Sequence, residues 1–344
     1  VDRCFEEHNL THPEQVLNIH QAYIAAGADV IQTNTYGANY IKLGRYGLED
    51  QVKEINEAAV ALAKKAATKE TFILGTIGGI HGSQATIGTI DEIKRSFREQ
   101  LYCFLLAGVD GILLETYYDF EELTTVLEIA RESTQLPIIA NVSMHEAGVL
   151  QNGLSLKDAL KKLEELGADV VGVNCHLGPH HMLKSLETVP LPEKALLAVY
   201  PNASFPGYQD GKLFYENKPD YFALYAEKFR ETGVHLIGGC CGTTPEHITA
   251  IKTGLPSRVP VTTKKVVPIH SEKQATSIAL EKPSLVEIVK KRHSVIVELD
   301  SPKHLNTDKY FEGAKALQEA GIDAITLADN SLASPRICNA SMGS

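Results

Sequence analysis

The sequence predicts an α/β protein built as a (β/α)8 TIM barrel, and three observations carry that prediction. Short β-branched runs recur along the chain, each apolar on both faces, as a strand buried in a parallel sheet must be. Helical stretches end in a repeated phrase, AGAD, AGVD and LGAD, whose Gly27, Gly108 and Gly167 suit a helix C-cap leading into the next strand. Seven strands are matched by eight helices, because the helix Pro13–Ala26 has no strand before it. A closed eightfold barrel needs that count plus one leading strand, so the first strand is expected to be missing.

The strands are expected at Asp29–Thr35, Thr71–Gly78, Gly111–Thr116, Pro137–Ser143, Val170–Cys175, Leu196–Pro201 and His235–Cys240, each bounded by Gly, Asp or Pro. Helix Pro13–Ala26 places Val16, Ile19, His20, Tyr23 and Ile24 on one stripe. Helix Asp91–Leu106 does the same with Ile93, Phe97, Leu101 and Phe104, and Asp91 is the expected N-cap. Residues 1–255 are thus read as one barrel.

Bulk properties exclude several functions. A net charge of −10 argues against nucleic acid or an anionic membrane surface, which require clustered Lys and Arg. No apolar run is long enough to span a bilayer. The opening VDRCFEEHNL has neither the basic nor the apolar region of a signal peptide. Six cysteines, two of them adjacent, do not form a disulfide pattern, and a cytoplasmic location with metal-binding or catalytic cysteines is expected.

Barrel active sites lie at the carboxyl ends of the strands, and two strand ends carry cysteine. One ends Val173-Asn174-Cys175 and another Gly238-Gly239-Cys240-Cys241-Gly242. Adjacent strand residues point to opposite faces, so Cys240 and Cys241 can share an ion only if the backbone turns there, which the flanking glycines permit. Three thiolates make a Zn²⁺ site with an open fourth position, the pattern of a catalytic centre. Other readings stay open. Cys175 alone suits a small apolar core residue, and Cys240-Cys241 suits a vicinal disulfide. Gly238–Thr244 also suits a phosphate-binding turn in a metal-free barrel enzyme. Cys4, Cys103 and Cys338 carry no assignment.

The string IGGCCGTTPEHI (Ile237–Ile248), with GVNC (Gly172–Cys175) upstream, resembles the homocysteine S-methyltransferase family. IQTNTYGAN (Ile31–Asn39) and LLETYYD (Leu113–Asp119) are similar to the same family, so the resemblance covers nearly all of residues 1–255. It implies that Cys175, Cys240 and Cys241 are zinc ligands and that Glu115 holds the amino group of homocysteine. The alternative for Glu115 is a carboxylate capping the helix from Asp119. Asn174 is a candidate to orient the substrate site, or simply a strand-end hydrogen bond. The implied partners are homocysteine and a methyl donor, either methyltetrahydrofolate or a sulfonium such as S-methylmethionine or S-adenosylmethionine. The family opens with a strand ending DG-x-x-GT that contacts the amino acid. No such phrase stands in this sequence, which implies an incomplete substrate clamp, an open barrel edge and a catalytically impaired zinc- or thiol-binding module as a further alternative.

Residues 256–284 hold Pro, Thr and Lys without sustained period and are read as a linker. A fresh βα phrase follows in residues 285–344: SLVEIVKKR, HSVIVELDSPK, a helix from Thr307 to Ala320, and AGIDAITLADNS. HSVIVELDSPK resembles the opening strand of methylenetetrahydrofolate reductase, which implies a folate-site role for Glu298; a bare strand-edge carboxylate is the alternative. The whole is most similar to the bacterial bifunctional homocysteine S-methyltransferase/methylenetetrahydrofolate reductase, truncated at both ends. So short a second unit is not expected to close a barrel, bind FAD or act as a reductase. The closing SLASPRICNASMGS reads as an abrupt stop.

Overall fold

Seven parallel strands form one continuous sheet in the computed structural model, which describes residues 4–81, 89–203, 207–209, 212–214, 218–255, 257, 259, 261–267, 285–300 and 307–327. They are β1 (Val30–Gln32), β2 (Phe72–Gly78), β3 (Gly111–Tyr117), β4 (Ile138–Val142), β5 (Val170–Asn174), β6 (Leu196–Tyr200) and, after a short antiparallel hairpin of β7 (Gly207–Gln209) and β8 (Lys212–Phe214), β9 (Val234–Ile237). Their order in the sheet is β1-β2-β3-β4-β5-β6-β9, so every strand but the hairpin pairs with its neighbour in sequence. All seven runs expected from the sequence are present.

Around the sheet run α2 (Pro13–Ala25), α4 (Val52–Ala66), α5 (Ile90–Ala107), α6 (Phe120–Ser133), α7 (Leu156–Glu165), α8 (Pro179–Glu187), α9 (Pro219–Glu231) and α10 (Pro245–Gly254). Two single turns, α1 (His8–Thr11) and α3 (Tyr40–Leu43), lie among them. The sheet curls far enough for its outermost helices to meet. Tyr23 Oη on α2 donates to the Thr243 carbonyl beside α10 at 2.8 Å, and Thr249 Oγ1 on α10 donates to the Ala26 carbonyl at 3.3 Å. Among the described residues no strand pairs with the outer edge of β1 or β9, the place of the expected first strand.

The apolar character of both strand faces follows from this geometry. Leu74, Leu113, Ile139, Val170 and Ala198 point inward and pack on one another beneath Tyr200 and Leu236. Their outward neighbours, such as Ile77, Leu114, Val171 and Leu197, belong to one apolar core with Phe97, Leu101 and Phe104 of α5, Leu123 and Leu127 of α6 and Leu160 and Leu163 of α7. Each fully buried aliphatic side chain here contributes about 1.5–3 kcal/mol.

Gly27, Gly108 and Gly167 all take positive φ (102°, 74° and 93°) at the helix-to-strand turns, as the repeated phrase requires. Two helix details differ from expectation. The N-cap of α5 is Thr89, which forms a reciprocal capping box with Glu92, so Asp91 sits inside the first turn. On α2 the buried residues are Val16, Leu17 and His20, while Ile19 is exposed; the face toward α4 is rotated by part of a turn.

Contacts divide the chain into two compact units, Val1–Ile269 and His270–Ser344. The first includes a return of the chain onto α8, where Lys264 Nζ donates to the Leu186 carbonyl at 2.6 Å and the Val267 N–H donates to that of Glu187 at 3.0 Å. Most of the expected linker lies outside the described residues. The second unit contains α11 (Leu285–Val289), β10 (Ile296–Leu299), α12 (Asp308–Glu319) and β11 (Ala324–Leu327), with the two strands parallel. Asp323 fastens its start by accepting from Val295 N at 2.9 Å and pairing with Arg292. Residues 328–344, including Cys338 and the terminal SMGS, lie outside the described residues. No described helix is long and apolar enough to cross a membrane.

Candidate metal centre

The strands end sooner than the cysteines they carry. β5 stops at Asn174 and β9 at Ile237, so Cys175, Cys240 and Cys241 all sit on the turns just beyond. Cys175 and His176 both adopt left-handed backbone, with φ of 58° and 63°, and Leu177 N closes back on the Cys175 carbonyl at 2.7 Å. Left-handed backbone costs a non-glycine residue on the order of 1–3 kcal/mol and persists only where its surroundings fix it. Here it turns the Cys175 sulfur out of the strand and toward Cys241.

The intervening segment Tyr200–Ala203, at the end of β6, fixes both turns. Cys175 N donates to the Tyr200 carbonyl at 3.1 Å and Cys240 N to that of Pro201 at 2.8 Å. Ala203 N donates to the Cys241 carbonyl at 2.9 Å, and Cys241 N to Asn202 Oδ1 at 3.1 Å. The buried Asn202 side chain also reaches the Cys175 sulfur, where it favours the thiolate. Gly242, with φ of 77°, completes the turn that lets adjacent cysteines face one point.

The three sulfurs lie within 4.8 Å of one another, with Cys175–Cys241 at 3.7 Å and Cys240–Cys241 at 4.0 Å. A tetrahedral Zn²⁺ with Zn–S bonds of about 2.3 Å holds its sulfurs about 3.8 Å apart, so the thiol set fits that ion. Among the described residues this is the one cluster of three His, Cys, Asp or Glu side chains close enough to share a metal. All three are free thiols rather than a vicinal disulfide. Thiols of Cys240 and Cys241 donating to Cys175 hold its sulfur well below the ordinary range, while the same hydrogen bonds push Cys240 up.

Glu115 lies on β3, and its place depends on a bulge. Register runs Leu114↔Ala140 and then Tyr117↔Val142, so Glu115 and Thr116 together face Asn141 alone, and Thr116 takes φ of 59°. Asn174, wholly buried on β5, reaches past β4 to hold the bulge. Its Oδ1 accepts from Thr116 N at 2.9 Å, and its Nδ2 donates to Thr116 Oγ1 at 2.7 Å and Glu115 Oε2 at 3.1 Å. Gln32 Nε2 donates to the other oxygen, Glu115 Oε1, at 2.8 Å. Burial pushes the Glu115 carboxyl up to about 7 against the lowering effect of Gln32. Glu115 is not a helix cap, since Asp119 caps α6 by accepting from Glu121 N and Glu122 N.

Aromatic groups stand beside the sulfurs. The Tyr118 and His145 rings lie 6.5 and 6.4 Å from His176, and the Tyr36 ring covers Gly78, the register partner of Glu115. The Gly238–Thr244 turn keeps much of its hydrogen-bonding capacity internal. Thr243 N and Oγ1 both donate to the Cys240 carbonyl, and Thr244 N donates to His247 Nδ1. Glu298 is exposed on β10 of the second unit, opposite Thr326.

No sequence motif marks Gln32 or Asn202 as a site residue. Inward parity on β1 points to Gln32, and continuing the parity of Ala198 and Tyr200 one step past β6 points to Asn202.

Residues 3–255 match the family model described as Homocysteine S-methyltransferase. The chain is 32% identical over 266 residues to the methionine synthase of Mycobacterium leprae and 31% identical over 266 residues to that of Mycobacterium tuberculosis. Each alignment takes in 73% of this chain and 22% of the relative. The chain thus spans about a fifth of the length of these curated relatives. Its fold is similar to that of the homocysteine methyltransferase MmuM from Escherichia coli, at 23% identity. For the metallated form the TM-score is 0.61, covering 72% of this chain and 86% of that one; for the oxidized form it is 0.62, covering 74% and 90%.

Proposed function

From the premise that the chain belongs to the homocysteine S-methyltransferase family, we propose that it methylates the thiol of homocysteine to give methionine, using Zn²⁺ held by Cys175, Cys240 and Cys241. The observation that carries this reading is the convergence of three free sulfurs within 4.8 Å at the carboxyl ends of two barrel strands. When bound there, Zn²⁺ supplies the positive charge that keeps a substrate thiol deprotonated at neutral pH, where a free thiol is mostly protonated.

The protein's own groups do the positioning. Glu115, with one donor on each oxygen, keeps lone pairs for the ammonium of the amino acid and anchors it beside the sulfurs. Asn174 orients Glu115 through the bulge, and Asn202 orients two of the cysteines. Tyr118 and His176 form an aromatic wall that limits water near the reacting sulfur. The net reaction exchanges the thiol proton for a methyl group, and orientation of acceptor and donor supplies much of the acceleration.

Methyltetrahydrofolate and the sulfoniums S-methylmethionine and S-adenosylmethionine are the donor classes we consider. We further propose that residues 1–255 are the homocysteine-binding zinc barrel and 256–284 a linker. Residues 285–344 are then the N-terminal fragment of a methylenetetrahydrofolate reductase-like barrel, in which Glu298 serves a folate and FAD belongs to the full-length protein. Three free thiols suit the reducing cytoplasm. The test is a methylation assay of the zinc-loaded chain with homocysteine and each donor. Methionine formation with at least one donor is expected, and zinc binding without methionine from any donor contradicts the catalytic reading.

A further inference from the structure

Tyr200 touches both halves of the candidate site. It ends β6, and with Leu236 it packs over the inward layer of Leu74, Leu113, Ile139, Val170 and Ala198. A Cβ on Gly238 would lie 2.9 Å from Tyr200 Cδ1, so the ring covers the glycine that opens the turn bearing Cys240 and Cys241. Gly238 N donates to the Val199 carbonyl at 3.0 Å, and Cys175 N donates to the Tyr200 carbonyl at 3.1 Å. The backbone and ring of one residue thus border the turns that carry all three sulfurs.

The phenol reaches the other half. Asn141 stands opposite the β3 bulge, where Glu115 and Thr116 share it as their neighbour on β4. Its wholly buried amide lies against the Tyr200 phenol, and Gly172 makes room for it, since a Cβ there would lie 2.7 Å from Asn141 Oδ1. Burial first, and then the nearby charge of Glu115, push the phenol up against the lowering effect of Asn141. At neutral pH the group therefore keeps its proton and is able to donate it in a hydrogen bond.

Two supports thereby join the acceptor anchor to the thiol cluster. Asn174 holds the bulge from β5 through its hydrogen bonds to Thr116 and Glu115. Tyr200 spans from β6 by another route, with its ring on Gly238 and its phenol on Asn141. An aromatic side chain turns about only two torsions, so it fixes a spacing that a long flexible chain would leave loose. In a reaction that depends on placement, an error of about 1 Å is enough to cost about 100-fold in rate.

We propose that Tyr200 is a positioning residue that sets the spacing between Glu115 and the thiol cluster, its ring holding the turn of Cys240 and Cys241 and its phenol steadying the bulge through Asn141. This rests on the methyl-transfer reading above, in which Glu115 anchors the acceptor and the three sulfurs hold zinc.

The test uses the zinc-loaded full chain with Tyr200→Phe, which keeps the ring on Gly238 and loses only the phenol oxygen, and Tyr200→Leu, which loses the ring as well. Zinc affinity is measured against a competing chelator and homocysteine affinity by titration calorimetry. In Tyr200→Phe, homocysteine weakens roughly 3–30-fold while zinc affinity stays within about twofold of wild type. Adding Tyr200→Phe to Asn141→Ala weakens homocysteine little beyond Asn141→Ala alone, because the phenol acts through that amide. Tyr200→Leu weakens zinc too, by roughly 10–100-fold. If that variant does not fold, Gly238→Ala, which crowds the same contact, is expected to show the loss. Unchanged homocysteine affinity in Tyr200→Phe overturns the role. So do an equal loss of zinc in that variant, fully additive losses in the double variant, or wild-type zinc affinity in Tyr200→Leu or its replacement. A wild-type zinc protein that binds no homocysteine overturns the methyl-transfer reading instead.

Discussion

Asn174 Nδ2 donates to Glu115 Oε2 at 3.1 Å, and the residue that follows Asn174 is the candidate ligand Cys175. One buried amide therefore stands between the group that would hold the amino acid and a sulfur that would hold the metal. The same side chain supplies the acceptor for Thr116 N in the bulge, so the two sites share a support.

Asn174→Ala is expected to lower unfolding free energy by about 1–3 kcal/mol, because the buried Thr116 N–H loses its acceptor. Homocysteine KM rises while zinc content stays near the wild-type level. Urea denaturation, metal analysis and homocysteine kinetics on the same preparation check the three parts. Loss of zinc with unchanged KM would place Asn174 with the metal alone.

Glu115 makes the acceptor site pH-dependent. Burial holds its carboxyl at about 7 in the fold, so below that pH it is neutral and lacks the charge to hold an ammonium. Homocysteine KM should fall between about pH 6 and about pH 8, and in Glu115→Gln it should be roughly 10–100-fold higher and flat across that range. The linkage for the unliganded protein runs the other way. A carboxyl raised in the folded state favours folding fully below its unfolded value and loses that contribution as pH rises through about 7. Glu115→Gln should flatten that slope in a series of urea curves.

Asn202→Ala removes an acceptor for Cys241 N and the contact to the Cys175 sulfur while leaving all three thiols in place. Zinc affinity measured against a competing chelator should fall roughly 10–100-fold, as for other residues that orient metal ligands. Affinity equal to wild type would mean that the backbone hydrogen bonds of Tyr200, Pro201 and Ala203 suffice.

Gly172→Ala tests the packing beneath the site. A Cβ there would stand 2.2 Å from the Ala198 carbonyl oxygen and 2.7 Å from Asn141 Oδ1, and the first is backbone that cannot rotate away. A loss of about 1–3 kcal/mol is expected from such overpacking, read as a lower urea midpoint at unchanged slope.

Much of this fold was legible because parallel strands advertise themselves. Runs such as VVGVN and GILLET are apolar on both faces, and Gly27, Gly108 and Gly167 mark the turns by a conformation other residues avoid. Cys175, Cys240 and Cys241 could be placed on one barrel face because strand ends share a direction. The left-handed backbone at Thr116 and Cys175 was not legible, since it is imposed by partners distant in sequence. The Glu115 bulge is set by Asn174, and the cysteine turns are set by Tyr200–Ala203. Gln32 lay within a recognised run, yet its role appears only when β1 is seen two strands from β3. Ile19 misled because a helical stripe gives a face but not its exact rotation against a neighbour.

Metal analysis decides whether Cys175, Cys240 and Cys241 together hold one catalytic zinc. The wild-type chain, purified without chelator, should contain about one zinc per chain, and Cys175→Ser, Cys240→Ser and Cys241→Ser should each lose most of it. Cobalt substitution of the wild type should add intense thiolate charge-transfer absorption that each variant weakens. Wild-type protein without stoichiometric metal, or serine variants that retain it fully, would contradict the assignment.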